Sequence, residues 1–337
     1  MKSVKVTLFV FILNFQVFGQ QVPQFSQYMY ERFLYNPAYA GTNPNAIEVA
    51  LNFRRQNVGY FGQGEVRNLY GGVPMGYDDK SISSINNFAI HSPLRKINMA
   101  VGARLIRENI SFYDFTGFWG TAAYQFKFPK SKFSIGSEFG VIQSLLRSGD
   151  LLLDNSNDKA IVNNSSPTYA FLGNYTPDIG FGVYYNRKFF YAGVSLAHAF
   201  PFRLTPNTSN YSRDVYATLS RHYNAIVGGS VAINPQFSLE PSGLFKMIEN
   251  GAYQYDASLM VNYKDVVSMG SSYRSQKAVV GIIKITFYKN IHLSYSYDYV
   301  FAQLGRFSSG SHEVLFRYVV VLNPLAKKYI VDPRHYY

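Results

Sequence analysis

Ile291-His292-Leu293-Ser294-Tyr295-Ser296-Tyr297-Asp298-Tyr299 alternates without a break, with every odd position apolar or aromatic and every even one polar. Successive side chains of a β-strand point to opposite faces, so this stretch needs an apolar environment on one side and a wet one on the other. Met99 to Arg107 has the same character, with Met99, Val101, Ala103 and Leu105 on one face and Ala100, Gly102, Arg104 and Ile106 on the other. One such strand would suit a soluble sandwich equally well. The membrane reading comes from the number of these segments, their length of about ten residues, and the lack of any amphipathic helix pattern long enough to cover a sheet.

Working outward, strands are expected at 48–58, 82–92, 97–108, 116–128, 132–144, 178–186, 189–199, 217–233, 236–247, 252–262, 266–274, 277–287, 290–300 and 310–322. The connections alternate in character. Those after the even-numbered strands are short, such as Pro129-Lys130-Ser131, Arg187-Lys188 and Asn234-Pro235, while the largest gaps, 59–81, 145–177 and 200–216, all follow odd-numbered strands. Even strand number, short turns on one side and long loops on the other describe a transmembrane antiparallel β-barrel of fourteen strands. The final segment, Ser311 to Leu322, is expected to close the barrel against the first strand.

Composition agrees. The 337 residues include 29 Tyr, 28 Phe and 26 Gly but only 15% charged residues, against about 25% in ordinary soluble domains. A lipid-facing surface explains the deficit, and Tyr and Phe suit the aromatic girdles at the two membrane interfaces. The net charge of +12 is spread along the chain without a dense Lys/Arg block. It therefore fits acidic headgroups or an acidic partner, not nucleic acid.

The chain opens with Met1-Lys2-Ser3-Val4-Lys5, an apolar run to Phe18, then Gly19 and two glutamines. A basic tip, a short apolar stretch and a small residue predict a secretory signal peptide over 1–19. Read as a spanning helix, the run is short. The expected organisation is then an N-terminal plug or periplasmic segment over 20–47, the barrel over 48–322 and a periplasmic tail over 323–337. With no cysteine anywhere, disulfides, thiolate catalysis and cysteine-ligated metals are excluded. A closed barrel, which has no free strand edge, supplies the stability instead.

Catalytic signals are lacking. His91, His198, His222, His292, His312 and His335 show no metal-ligand spacing. His312 and Glu313 resemble a dyad but adjacent strand residues face opposite ways. Ser26 and Ser195 lack a nucleophile-elbow context, and there is no phosphate loop. No catalytic, cofactor or metal residue is assigned, and no cofactor is expected. Asp150, Asp154 and Asp158 in the second long gap read as ordinary loop chemistry before a cation site.

Pro23-Gln24-Phe25-Ser26-Gln27-Tyr28-Met29, followed by Asn36-Pro37-Ala38-Tyr39-Ala40-Gly41, closely resembles the opening of the PorP/SprF family of type IX secretion and gliding proteins. Asn52-Phe53-Arg54-Arg55-Gln56, Gly270-Ser271-Ser272-Tyr273-Arg274, Ser294 to Asp298 and Gly310 to Val314 continue the match in family order. The family's usual tryptophan after the first basic-glutamine element is replaced by Asn57-Val58-Gly59-Tyr60.

The resemblance implies an outer-membrane barrel, not an enzyme, that docks, helps secrete or anchors a large cell-surface protein in the SprF manner. Its implied partners are that secreted or surface-anchored protein, other type IX components, and outer-membrane lipid or lipopolysaccharide. A core PorP-like role, or a channel for a small or hydrophobic solute, is the alternative. From the residues themselves, Phe25, Tyr28, Tyr35 and Tyr39 are candidates to fix an ordered plug. Arg54 and Arg104 are candidates for a polar network in the lumen. Arg55 and Arg107 belong to the same basic set, although residues 54 and 55 of a regular strand cannot both face inward.

Overall fold

The alternation read from the sequence is realised as an inside-out burial pattern. In the strand Ile291–Val300 the polar side chains His292, Ser294, Ser296 and Asp298 are buried, while Leu293, Tyr295 and Tyr299 are exposed. Tyr253–Tyr263 repeats the pattern residue by residue. A strand that hides its polar face and shows its apolar one has water or protein inside and lipid outside. The computed structural model describes residues 24–58, 81–94, 96–110, 113–146, 171–172, 175–200, 203–204, 217–249, 251–288, 290–301 and 308–322.

Fourteen antiparallel strands close on themselves: β1 Ala46–Val58, β2 Ser81–Leu94, β3 Met99–Ile110, β4 Tyr113–Phe128, β5 Ser131–Leu146, β6 Thr176–Arg187, β7 Phe190–Ala197, β8 His222–Gly229, β9 Phe237–Ile248, β10 Tyr253–Tyr263, β11 Val267–Arg274, β12 Ala278–Phe287, β13 Ile291–Val300 and β14 Ser311–Val321. Each pairs with its neighbours in sequence, and β14 returns to β1 through pairs such as Ala46 with Val321 and Arg54 with Glu313. Closure leaves no open edge in the ladder. Among the described residues, no helix is long and apolar enough to cross a membrane.

The expected eighth strand, 217–233, is shorter than its pattern predicted. Ala217–Thr218 pairs instead with Arg203–Leu204, outside the barrel ladder. Farther along, the register brings Gly229 opposite Pro241 before Val231–Ala232 rejoins β9. Proline has no N–H to offer a ladder, so pairing is interrupted there. At the other boundary the first strand begins at Ala46, two residues before its expected start.

The outward face is mostly apolar: Phe118, Phe139, Phe181, Val194, Leu259 and Met269 are among its exposed residues. Aromatic residues cluster at both ends, with Phe126, Phe128, Phe189, Phe237, Tyr263 and Tyr288 near the short turns and Tyr253, Tyr273 and Tyr299 near the opposite rim. The barrel is an outer-membrane β-barrel by this surface and by its closure. The ends of β1, β5 and β7 lead into the long gaps, all on one rim; most of those loops, with Asp150, Asp154 and Asp158, lie outside the described residues, as do 1–19 and 323–337.

The apolar core lies inside the ring. Tyr28, Met29, Phe33, Tyr35, Ala38, Tyr39 and Ala40 of the N-terminal segment pack against inward-facing Ala89, Ala100, Ala123, Tyr184, Tyr191, Ile226, Leu244 and Met260. Small wall residues make room for it. A Cβ at Gly136 would lie 2.6 Å from Ala38 N and 2.7 Å from Ala38 Cα, so a side chain there would meet the segment's backbone.

Candidate functional site

Residues 24–45 are shaped by local chemistry before they meet the wall. Arg32–Tyr35 forms one helical turn, α1, and Pro37–Tyr39 a 3-10 turn, η1. Asn36 sits between them; its side-chain oxygen accepts from Ala38 N at 2.9 Å, and Pro37 occupies the first helical position, where a missing N–H costs nothing. The same Asn36 amide donates to Val183 O at 2.9 Å and Val194 O at 3.1 Å, fixing the turn to β6 and β7. Gly41 takes φ +62, a left-handed conformation, with Ala100 Cβ only 2.4 Å from where its own Cβ would be. Its N–H donates to His91 Nδ1 at 3.2 Å. The chain Asn36-Pro37-Ala38-Tyr39-Ala40-Gly41 is thus a fitted hinge between the segment and three regions of the wall.

Upstream, Ser26 is the centre of an ionic cluster. Its hydroxyl donates to Asp298, within 2.7 Å of Oδ2, and accepts from Arg54 Nη1 at 2.9 Å and Arg274 Nη2 at 3.0 Å. One donor and two lone pairs are then all used. Its backbone N–H donates to Glu313 Oε2 at 2.7 Å, and Gln27 N donates to Glu313 Oε1 at 3.2 Å. Arg54 pairs with Asp298 at 2.8 Å and Glu313 at 3.1 Å; Arg274 pairs with Asp298 at 2.9 Å and Asp256 at 3.2 Å. Arg54 and Glu313 are 2% and 0% exposed. Gln27 also accepts from Ser294, and Asn52 bridges Glu313 and Glu31 at 3.1 and 3.2 Å. Charges taken out of water are tolerated only when paired and hydrogen-bonded in this way.

Asp256 comes from β10, and the other four charged members from four further strands: Arg54 from β1, Arg274 from β11, Asp298 from β13 and Glu313 from β14. These four lie in Asn52–Gln56, Gly270–Arg274, Ser294–Asp298 and Gly310–Val314, and Ser26 lies in Pro23–Met29. The sequence elements that looked like separate signatures converge on one site. A sequence model described as "Type IX secretion system membrane protein PorP/SprF" matches residues 17–318. The chain belongs to the PorP/SprF family.

No curated protein matches this PorP/SprF sequence significantly. Solved barrels similar to it include the P. putida toluene transporter TodX, at 10% identity over 86% of this chain and 93% of that one with a TM-score of 0.45. The CymD monoaromatic hydrocarbon channel is 10% identical over 86% and 92%, with a TM-score of 0.48. Acinetobacter baumannii Omp33 is 5% identical over 82% and 98%, at 0.42. These likenesses are too distant to bear on what the PorP/SprF protein does.

The structure places each predicted residue of this PorP/SprF barrel as follows. Phe25, Tyr28, Tyr35 and Tyr39 are all buried inside the ring. Tyr28 Oη lies 2.8 Å from Ser258 Oγ, and Tyr35 donates to Phe25 O at 3.3 Å while its own carbonyl accepts from Ser195 at 2.5 Å. Tyr39 packs edge-on against Tyr184 and His91. Arg54 belongs to the cluster around Ser26. Arg104 is not part of it: it forms a two-pronged pair with Glu138 at 2.8 and 3.1 Å and lies over the Trp119 ring at 4.0 Å. Trp119 in turn donates to Asp178 at 2.7 Å. Arg55 and Arg107 point outward. Glu313 faces the lumen, while His312 takes the other face and meets Tyr295 at 2.7 Å.

Sequence reasoning missed Ser26, Glu31, Asp256, Arg274 and Asp298 as members of one network. Glu31 is fully enclosed; burial, and secondarily the nearby Glu313 carboxylate, push its carboxyl up to about 8, against the donated bonds from Asn52 and Asn87. No group of three or more metal-ligating side chains stands together among the described residues.

Proposed function

We propose that this barrel is a docking and anchoring component of type IX secretion and not a conduit: it presents a surface protein's attachment site on the rim of long loops. The observation that carries this reading is the occupied interior. Residues 24–45 are bonded to β1, β2, β6, β7, β10, β13 and β14, and paired charges and aromatic rings fill the lumen around them. Long loops on a rigid scaffold are the usual place for partner recognition. In this arrangement the short turns and both chain ends face the periplasm, where other type IX components reach them, and the client is a large secreted or surface-anchored protein of the kind handled by SprF-like members.

The test is purification of the protein from its native membrane without overexpression, followed by identification of co-eluting chains and by planar-bilayer recording. A stoichiometric large surface protein with no steady conductance supports the proposal. A protein that elutes alone and conducts a small solute overturns it in favour of a channel.

A further inference from the structure

On the outward face, a furrow of about 600 Å³ runs across β6 to β10. The register defines it. One row across the wall reads Tyr185, Ala192, Val227, Gly243 and Ala257; the next reads Val183, Val194, Ala225, Phe245 and Tyr255. Small residues form the floor, while Phe133 and Tyr185 stand at one side and Phe245 and Tyr255 at the other. Other lipid-facing positions, such as Phe118, Phe139 and Leu259, carry bulky side chains. The depression is of the size of sites that hold small apolar molecules, roughly 300–1,000 Å³.

Its lower end is electropositive. Arg187 follows Tyr185 on the same outward face of β6, two residues or about 7 Å farther along, and it is exposed, as is Lys188 in the turn beyond. The neighbouring turns add exposed Lys130 and Lys264 against the half-buried acid Asp265, and the half-buried Glu240 lines a recess beside Arg187 and Lys188. The turn between β8 and β9, residues 230–236, has no charge at all. An apolar channel that ends in a cluster of cations is complementary to an amphiphile with an acyl tail and an anionic head.

We propose that the furrow over β6 to β10 seats one acyl chain of an anionic phospholipid, whose phosphate is met by Arg187 and Lys188. Bulk lipid wets the whole outer wall; this position differs in having a recess for the chain and fixed charges for the head, so the lipid stays with the protein when the surrounding membrane is removed. Its leaflet, the periplasmic one, follows from the orientation proposed above. The seat itself does not depend on that orientation, and protein in detergent tests it without reference to either leaflet.

The probes are palmitoyl-oleoyl phosphatidylglycerol and phosphatidylcholine with the same chains, added to the delipidated full-length barrel and followed by native mass spectrometry. Wild type is expected to retain one phosphatidylglycerol at least tenfold more than phosphatidylcholine. Gly243→Phe fills the floor; a Cβ there lies 3.5 Å from Val227 Cγ1, an ordinary contact, so the wall accommodates it, and retention of both lipids should be lost. Ala225→Phe is the second filling variant should the first not show the heat-resistant mobility of a folded barrel. Arg187→Gln with Lys188→Gln should keep an acyl chain but bring the two lipids to equal retention. Equal retention of both lipids by wild type, or undiminished retention by a folded furrow-filling variant, overturns the proposal.

Discussion

Replacing Arg54 with methionine tests whether the ionic cluster around Ser26 holds the N-terminal segment in the lumen. The substitution keeps an unbranched side chain but removes the guanidinium that pairs with Asp298 at 2.8 Å and Glu313 at 3.1 Å and donates to Ser26 at 2.9 Å. Asp298 keeps Arg274. Glu313 keeps only neutral donors, from Ser26, Gln27 and Asn52. Breaking a buried pair from one side costs about 3–5 kcal/mol, because a charge is left behind without its partner. That corresponds to between about two and three and a half orders of magnitude in the folding equilibrium. The assay is urea unfolding in lipid vesicles, read from the fluorescence of the chain's single tryptophan; Trp119 is buried in the lumen against Phe25 and its neighbours, so it reports the segment as well as the wall. Arg54→Met combined with Glu313→Gln should recover part of the loss, since the stranded charge is gone, and the non-additivity measures the pair. A loss below about 1 kcal/mol, the range of solvent-exposed ion pairs, or strictly additive effects in the double variant, would refute the reasoning.

Three further outcomes follow from the same structure. Gly136→Val drives a side chain into the backbone at Ala38; we expect a loss of about 1–3 kcal/mol and faster tryptic cleavage after Arg32, and an unchanged cleavage rate would contradict the close approach. Glu31 has a folded pKa of about 8 against an ordinary 4.5, so the folded chain holds a proton that the unfolded chain has shed. Its contribution to stability is complete below about pH 4.5 and is lost as pH rises through 8; Glu31→Gln should flatten the unfolding midpoint between pH 5 and pH 9 and exceed wild type at pH 9. On the outer wall, Phe139 is 58% exposed near the middle of β5, and Phe139→Arg should cost about 2–4 kcal/mol in vesicles, an effect absent if that face met water.

The barrel was legible because its information is local. A period of two, written fourteen times with turn residues between, specifies both the strands and their connections, and Ile291–Val300 alone states which residues share a face. The eighth strand is shorter than expected: Ala217, Leu219 and 231–233 satisfy a strand pattern, whereas the ladder is limited at one end by the pairing of Ala217–Thr218 with Arg203–Leu204 and at the other by Pro241 on the neighbouring strand. The lumen was legible only in kind. Aromatic density marked Phe25, Tyr28, Tyr35 and Tyr39, and basic residues on polar faces marked Arg54 and Arg104. Nothing local tells Arg54 to meet Asp298 and Arg104 to meet Glu138, because those pairings depend on barrel closure. In the sequence Ser26 is a serine without a nucleophile context inside the Pro23–Met29 signature; in the fold its hydroxyl donates to Asp298 and accepts from Arg54 and Arg274.

The bond from Ser26 to Glu313 spans 287 residues, and that span imposes an order of events on biogenesis. The recess for residues 24–29 is walled on one side by β13 and β14, which are made after β1 to β12 and enter the membrane after them if insertion follows the chain. Until those strands arrive, Ser26 lacks its partners Asp298 and Glu313. The complete set of bonds at Ser26 is therefore a mark of a finished ring.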